Sequence, residues 1–215
     1  TSLFRSAESV LALELGALVS ANQAGAYGAI PGSLGQAIHE AGKRTAVLGC
    51  ADTLDTIRRP HVAIAMDQFG LVDYGFVSKK LLRKDPEAAF GLATDREALL
   101  EAFKQVQGKA DFIVIDFGDT SRVEEYRDYL TEEMLSRHRL EALKSADAFL
   151  GALRKQINWD ETQLFVTSPT PALTAMKDGR RMTPIMAIGQ GYTHGYLICP
   201  TTRRPFVVGN IDVAP

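Results

Sequence analysis

Apolar residues recur at helical spacing over residues 7–21 (AESVLALELGALVSA), which predicts a helix. The segment AGAYGAIPG that follows reads as loop. Ser33 then caps a second helix, SLGQAIHEAG, with Gly42 as its stop signal, and RTAVLGC reads as the strand after it. HVAIAMD at 61–67 predicts another strand, and QFGLVDYG a turn with a short strand behind it. A helical region over DPEAAFG and TDREALLEAFKQVQG follows, with Thr94 or Asp95 as cap.

DFIVIDFGD, residues 111–119, is the clearest buried strand by pattern. SRVEEYRDYL and the long amphipathic run TEEMLSRHRLEALKSADAFLGALRKQI supply two more helices. QLFVTS, TPIMAIG, HGYLIC and RPFVVGN make the C-terminal third rich in strands. Helices alternating with near-continuous apolar strands point to a mainly parallel sheet covered on both faces. With no internal repeat or linker, residues 1–215 read as a single α/β domain, a three-layer α/β/α sandwich.

Composition narrows the partners. Of 215 residues, 46% are hydrophobic and 23% charged, ordinary for a chain that buries a real core. Lysine and arginine number 24 against 26 acidic residues, a net charge of −2 without a basic stripe, which argues against nucleic acid. The pairs Lys79-Lys80, Arg180-Arg181 and Arg203-Arg204 are short and read as solvated. Cys50 and Cys199 each end an apolar run and lack metal spacing, so both are expected as buried free thiols. No stretch approaches the apolar length of a membrane span, so no membrane contact is expected of this segment. Both ends read as cut, and targeting segments are expected beyond them.

Candidate chemistry gathers at strand ends. Asp116 and Asp119 stand where carboxylates enter the ligand crevice of an α/β sheet, as metal ligands or acid/base groups. Equally, Asp119 and Thr120 suit a turn capping a helix from near Ser121. Asp52 and Thr53, after TAVLGC, carry the same ambiguity, since ADTLDTIRR also suits a capped helical turn. His39 and His138 lie within helices as surface or packing residues, and His61 opens a strand. His194, in the polar run GQGYTHG, is the histidine placed like a site residue, but a lone histidine cannot hold a catalytic metal. Gly25, Gly28, Gly32 and Gly35 match neither a dinucleotide loop nor a P-loop, and no G-x-S-x-G elbow occurs.

The apolar strand ending at Thr167 opens onto Ser168-Pro169-Thr170-Pro171, a polar loop where an α/β enzyme would keep its chemistry. Beyond it, TPIMAIGQG and CPTTRRPFVVGNIDVAP, from Arg180 to Pro215, resemble the closing segment of the alkaline phosphatase superfamily. Ile211-Asp212-Val213-Ala214-Pro215 is similar to the superfamily's Asp-x-Ala-Pro element, and VLGCADT and IDFGDTSR extend the likeness loosely over 33–215. The order of these segments is also similar to a bacterial branch of phosphatase-like proteins placed outside the cell. That likeness implies an extracytoplasmic, membrane-tethered setting supplied by segments beyond this chain.

Active members of the superfamily use two divalent metals held by Asp and His, with a Ser or Thr nucleophile. Carried over position by position, the set fails. The Asp-His-Gly loop falls on Ser168-Pro169-Thr170-Pro171, and the later His falls near Arg180-Arg181. The Asp-x-x-Gly-His pattern becomes Ile115-Asp116-Phe117-Gly118-Asp119, with Asp119 in place of the His. No aspartate precedes Asp52.

Three readings stand. The resemblance implies a catalytically degenerate phosphatase-like domain with a binding or regulatory role and no cofactor. A second reading is an active metal-dependent hydrolase or transferase of phosphate or sulfate esters, completed by a missing N-terminal segment. Asp116, Asp119 and His194 are its weak catalytic candidates. A third is a small-anion-binding protein with Thr202, Arg203, Arg204 and Asp52 as ligand-binding residues.

Overall fold

The structure, a computed structural model, describes residues 8–23, 25 and 28–192. The predicted strands HGYLIC and RPFVVGN therefore lie outside the described residues, together with His194, Cys199, Thr202, Arg203, Arg204 and Asp212. Two compact units divide the chain after Lys155.

The first unit is mixed α/β, built on a three-stranded parallel sheet. Its centre is β2 (Thr45–Cys50), whose six residues are all buried. On one side β2 pairs with β4 (Tyr74–Phe76) and on the other with β7 (Phe112–Phe117), both parallel, with Val47 opposite Val114 and Gly49 opposite Asp116. The order β4-β2-β7 places the predicted strands TAVLGC and FIVID side by side. FIVID was expected to be buried throughout, yet every residue of β7 is half-buried. The reason is its place at the edge of this sheet, which leaves full burial to β2.

On one face of the sheet Val47 packs with Phe112 and Val114 against Val62, Ala65 and Met66. The last three belong to or adjoin α3 (Val62–Ala65), a short helix where the apolar pattern of 61–67 predicts a strand. Pro60 decides the outcome. It lacks an N–H for a ladder and its fixed φ suits the start of a helix, and its carbonyl accepts from Ala63 N at 3.1 Å. Toward the other face, Phe117 meets Phe149 of α6 (Glu132–Leu153) with ring centroids 5.5 Å apart.

Three further corrections concern where helices begin. Val10–Leu11 forms β1, antiparallel to β3 (Leu71–Val72), so the first helix, α1, begins only at Leu15 and runs to Gln23. Ser33 is the first residue of α2 (Ser33–Glu40) and not its cap; its hydroxyl turns back to the Ile30 carbonyl at 2.5 Å. DPEAAFG is not helical beyond a 3-10 turn at Ala89–Gly91, because the chain there joins β5 (Leu82–Lys84) to β6 (Leu92–Thr94) as an antiparallel pair.

Asp95 caps α4 (Arg96–Val106), accepting from Glu97 N at 3.1 Å and Ala98 N at 3.0 Å. Next comes α5 (Asp119–Tyr126), tied to α6 by Arg139, which forks onto Glu124 at 2.6 and 2.9 Å. Among the described residues no helix is long and apolar enough to cross a membrane.

In the second unit β8 (Gln163–Thr167) and β9 (Ile185–Gly189) pair antiparallel with Phe165 opposite Ala187, and α7 (Leu173–Lys177) lies between them in sequence. Both strands were expected in a mainly parallel sheet. Their direct pairing instead makes a local two-stranded ribbon.

Candidate functional site at the strand ends

After β2 the chain turns toward β4, while β7 lies on the opposite side. The carboxyl ends of β2 and β7 therefore form a topological switch point, the place where open α/β sheets take ligands. Two glycines let the strands close up there. Gly49 has φ +86°, and a Cβ on it would stand 2.1 Å from the Asp116 carbonyl oxygen. A Cβ on Gly118 would stand 2.3 Å from the Cys50 carbonyl oxygen.

The loop ADTLDTIRR is a closed turn and not a helical one. Ala51 N donates to Arg58 O at 3.0 Å, and Thr53 Oγ1 accepts from Thr56 N at 3.1 Å. The loop folds around Asp52, whose side chain is 0% exposed. That carboxylate accepts from Arg58 N at 2.9 Å and from Arg59 Nε and Nη2 at 3.3 and 2.8 Å.

Asp119 opens α5 and does not cap a helix from Ser121; the position before it is Gly118, and no side chain caps the helix. The Asp119 carboxylate instead reaches back to the end of β6, accepting from Thr94 N at 2.8 Å and Thr94 Oγ1 at 3.0 Å. It also pairs with Arg122, one turn along the same helix. Arg122, 1% exposed, is the residue the sequence reading missed. Its guanidinium donates to Cys50 O at 3.0 Å, Asp52 O at 3.4 Å and Thr94 Oγ1 at 2.8 Å, fastening α5 to the ends of β2 and β6. The Asp-x-x-Arg spacing on a helix was the available signal.

Asp116 faces His61, with Oδ2 3.4 Å from Nδ1. His61 opens α3, not a strand, and is 6% exposed. Neither ring nitrogen of His61 has a hydrogen-bond partner, and neither does Asp116 Oδ2. The structure thus brings Asp52, Asp116 and Asp119 to one end of the sheet and adds His61, Arg59 and Arg122. Burial pushes the thiol of Cys50, the last residue of β2, above its ordinary range, and the Asp52 charge adds to that while the Asp52 backbone N–H opposes it.

His39 takes the packing side of its two expected roles. Read as a surface or packing residue, its side chain is 4% exposed, with Nε2 2.8 Å from Asp73 Oδ2 and Nδ1 3.3 Å from Asp67 Oδ2. Thr45 N, at the start of β2, also donates to Asp73 Oδ2 at 2.9 Å, so this cluster braces the end of the sheet away from the crevice. In the second unit, Ser168 Oγ donates to Thr170 O at 2.7 Å, which folds the Ser168–Pro171 loop upon itself.

Among the described residues no group of three or more His, Cys, Asp or Glu side chains is placed to hold a metal ion. No family model matches the chain, and no curated protein or solved structure is found to be similar to it.

Proposed function

We propose that the chain is an alkaline phosphatase-like α/β domain, a three-layer sandwich in design, in which binding has replaced metal-assisted phosphoryl transfer. The observation that carries this reading is what occupies Asp52 and Asp119. Each carboxylate is buried and already accepts three hydrogen bonds, one or more of them from a guanidinium. A divalent cation at Asp52, both of whose oxygens are bonded, would have to displace an arginine and a backbone N–H, and at Asp119, whose three bonds all fall on Oδ1, it would face the Arg122 charge across a poorly solvated site. The remaining acidic side chain at the strand ends, Asp116, stands with one imidazole, short of the donor set a catalytic metal needs.

The test is an assay of p-nitrophenyl phosphate and p-nitrophenyl sulfate with magnesium, manganese or zinc supplied. The expected result is no turnover above the metal-free background. Metal-dependent turnover that disappears in Asp52→Asn or Asp119→Asn would replace this reading with that of an active hydrolase.

A further inference from the structure

We infer that His61, oriented by Asp116, is a ligand-contacting residue of the crevice and that the group it takes is a hydroxyl of a small uncharged ligand. This rests on the binding reading above and names the chemistry that the crevice recognises.

The starting observation is a debt of hydrogen bonds. Nε2 of a 6% exposed imidazole is buried with no partner, while Nδ1 and Oδ2 of the neighbouring carboxylate face each other at 3.4 Å without a formed hydrogen bond. Leaving a buried polar group unpaired costs about 1–3 kcal/mol, so folded chains rarely keep such groups together without a use. The pair sits at the switch point, where Gly49 and Gly118 bring the two strands to close approach. Elsewhere at the same strand ends the polar side chains Asp52, Thr94 and Asp119 are bonded. His61 Nε2 thus lacks a partner beside carboxylates that are matched, a condition it shares at these strand ends with Arg122 Nε, whose guanidinium is otherwise bonded.

The ligand class follows from the donor and acceptor inventory. A neutral imidazole has one N–H and one lone pair. With Nδ1–H turned to Asp116 at 3.4 Å, a contact with room to tighten on binding, Nε2 presents a lone pair. What meets it must donate. An oxyanion offers no proton there and would face the Asp116 charge, while an ammonium group would be costly to desolvate at so buried a ring. A hydroxyl meets both conditions.

Ring-nitrogen NMR on the whole chain provides the test, with glycerol, glucose and myo-inositol as hydroxyl probes, methylammonium as the cationic arm and inorganic sulfate as the anionic arm. At least one hydroxyl probe is expected to shift the Nε2 resonance of His61, with little response to methylammonium or sulfate. His61→Gln should weaken that probe by about tenfold or more, the loss of one well-placed hydrogen bond. Asp116→Asn should redistribute the His61 tautomers, which a purely packing role for Asp116 would leave alone.

A second measurement separates site from scaffold. Replacing an unmatched polar group in a ligand site by an apolar one relieves the free protein, so His61→Leu is expected to raise its melting temperature. A lowered melting temperature in His61→Leu, or a His61 ring that responds to no hydroxyl probe, overturns the assignment. Phosphoesterase turnover would remove the binding reading through a different readout, independent of these ring shifts.

Discussion

Replacing Arg122 by methionine keeps most of the side-chain volume and removes the guanidinium. Arg122 is 1% exposed, and its loss strands the Asp119 carboxylate and leaves the carbonyls of Cys50 and Asp52 with one donor fewer. Breaking one half of a buried ion pair costs about 3–5 kcal/mol, because the remaining charge stays in a poorly solvated site. For a chain of this size each kcal/mol moves the melting temperature by about 2–4 °C, so Arg122→Met should melt about 6–20 °C lower. Thermal and urea unfolding followed by circular dichroism measure this directly.

The partner variant sharpens the argument. Asp119→Asn alone should also destabilise, but Arg122→Met with Asp119→Leu should lose less than the sum of the single changes, because no buried charge is left alone. Arg122→Lys keeps the charge without the planar fork that serves Cys50, Asp52 and Thr94 together, and should fall between wild type and Arg122→Met. If Arg122→Met unfolds within about 1 kcal/mol of wild type, or if the double change is fully additive, the network does not hold the strand ends and the reasoning fails.

Two further outcomes are expected. Gly49→Ala combines φ +86° with a Cβ 2.1 Å from the Asp116 carbonyl oxygen and should cost about 2 kcal/mol or more in urea denaturation; a neutral result would contradict the close approach of β2 and β7. In a Cys199→Ser background, Cys50 should react with a disulfide reagent only as fast as the protein opens. Because burial holds its thiol above the ordinary value of 9.0, its contribution to stability is intact below that value and declines as pH rises beyond it, when the unfolded thiol ionises and the folded one does not. Rapid labelling of the native protein, or stability that climbs above pH 9.0, would show the thiol to be accessible.

Much of the first unit was legible from local pattern. Thr45–Cys50 and Phe112–Phe117 are apolar runs that form adjacent parallel strands, and Asp95 before an amphipathic run caps α4. Such features depend on residues within a few positions of one another, so periodicity and capping chemistry reveal them. Residues 61–67 show where this stops. An apolar run too short for its period to count suits a strand or a helix equally, and the start at Pro60 together with packing beneath Val47 made it helical.

The chemistry of the candidate site was decided only in three dimensions. Asp52 and Asp119 could be named as strand-end carboxylates, and Asp52 is occupied from within its own loop by Arg58 N and Arg59, but whether Asp119 was free or bonded turned on Thr94, 25 residues before it, and on Arg122, which also reaches Cys50 across 72 positions. His39 looked like an ordinary helix residue until Asp67 and Asp73 closed on it. Charge pairing in a folded interior is settled by which elements the sheet order brings together, and local spacing along a chain does not encode that order.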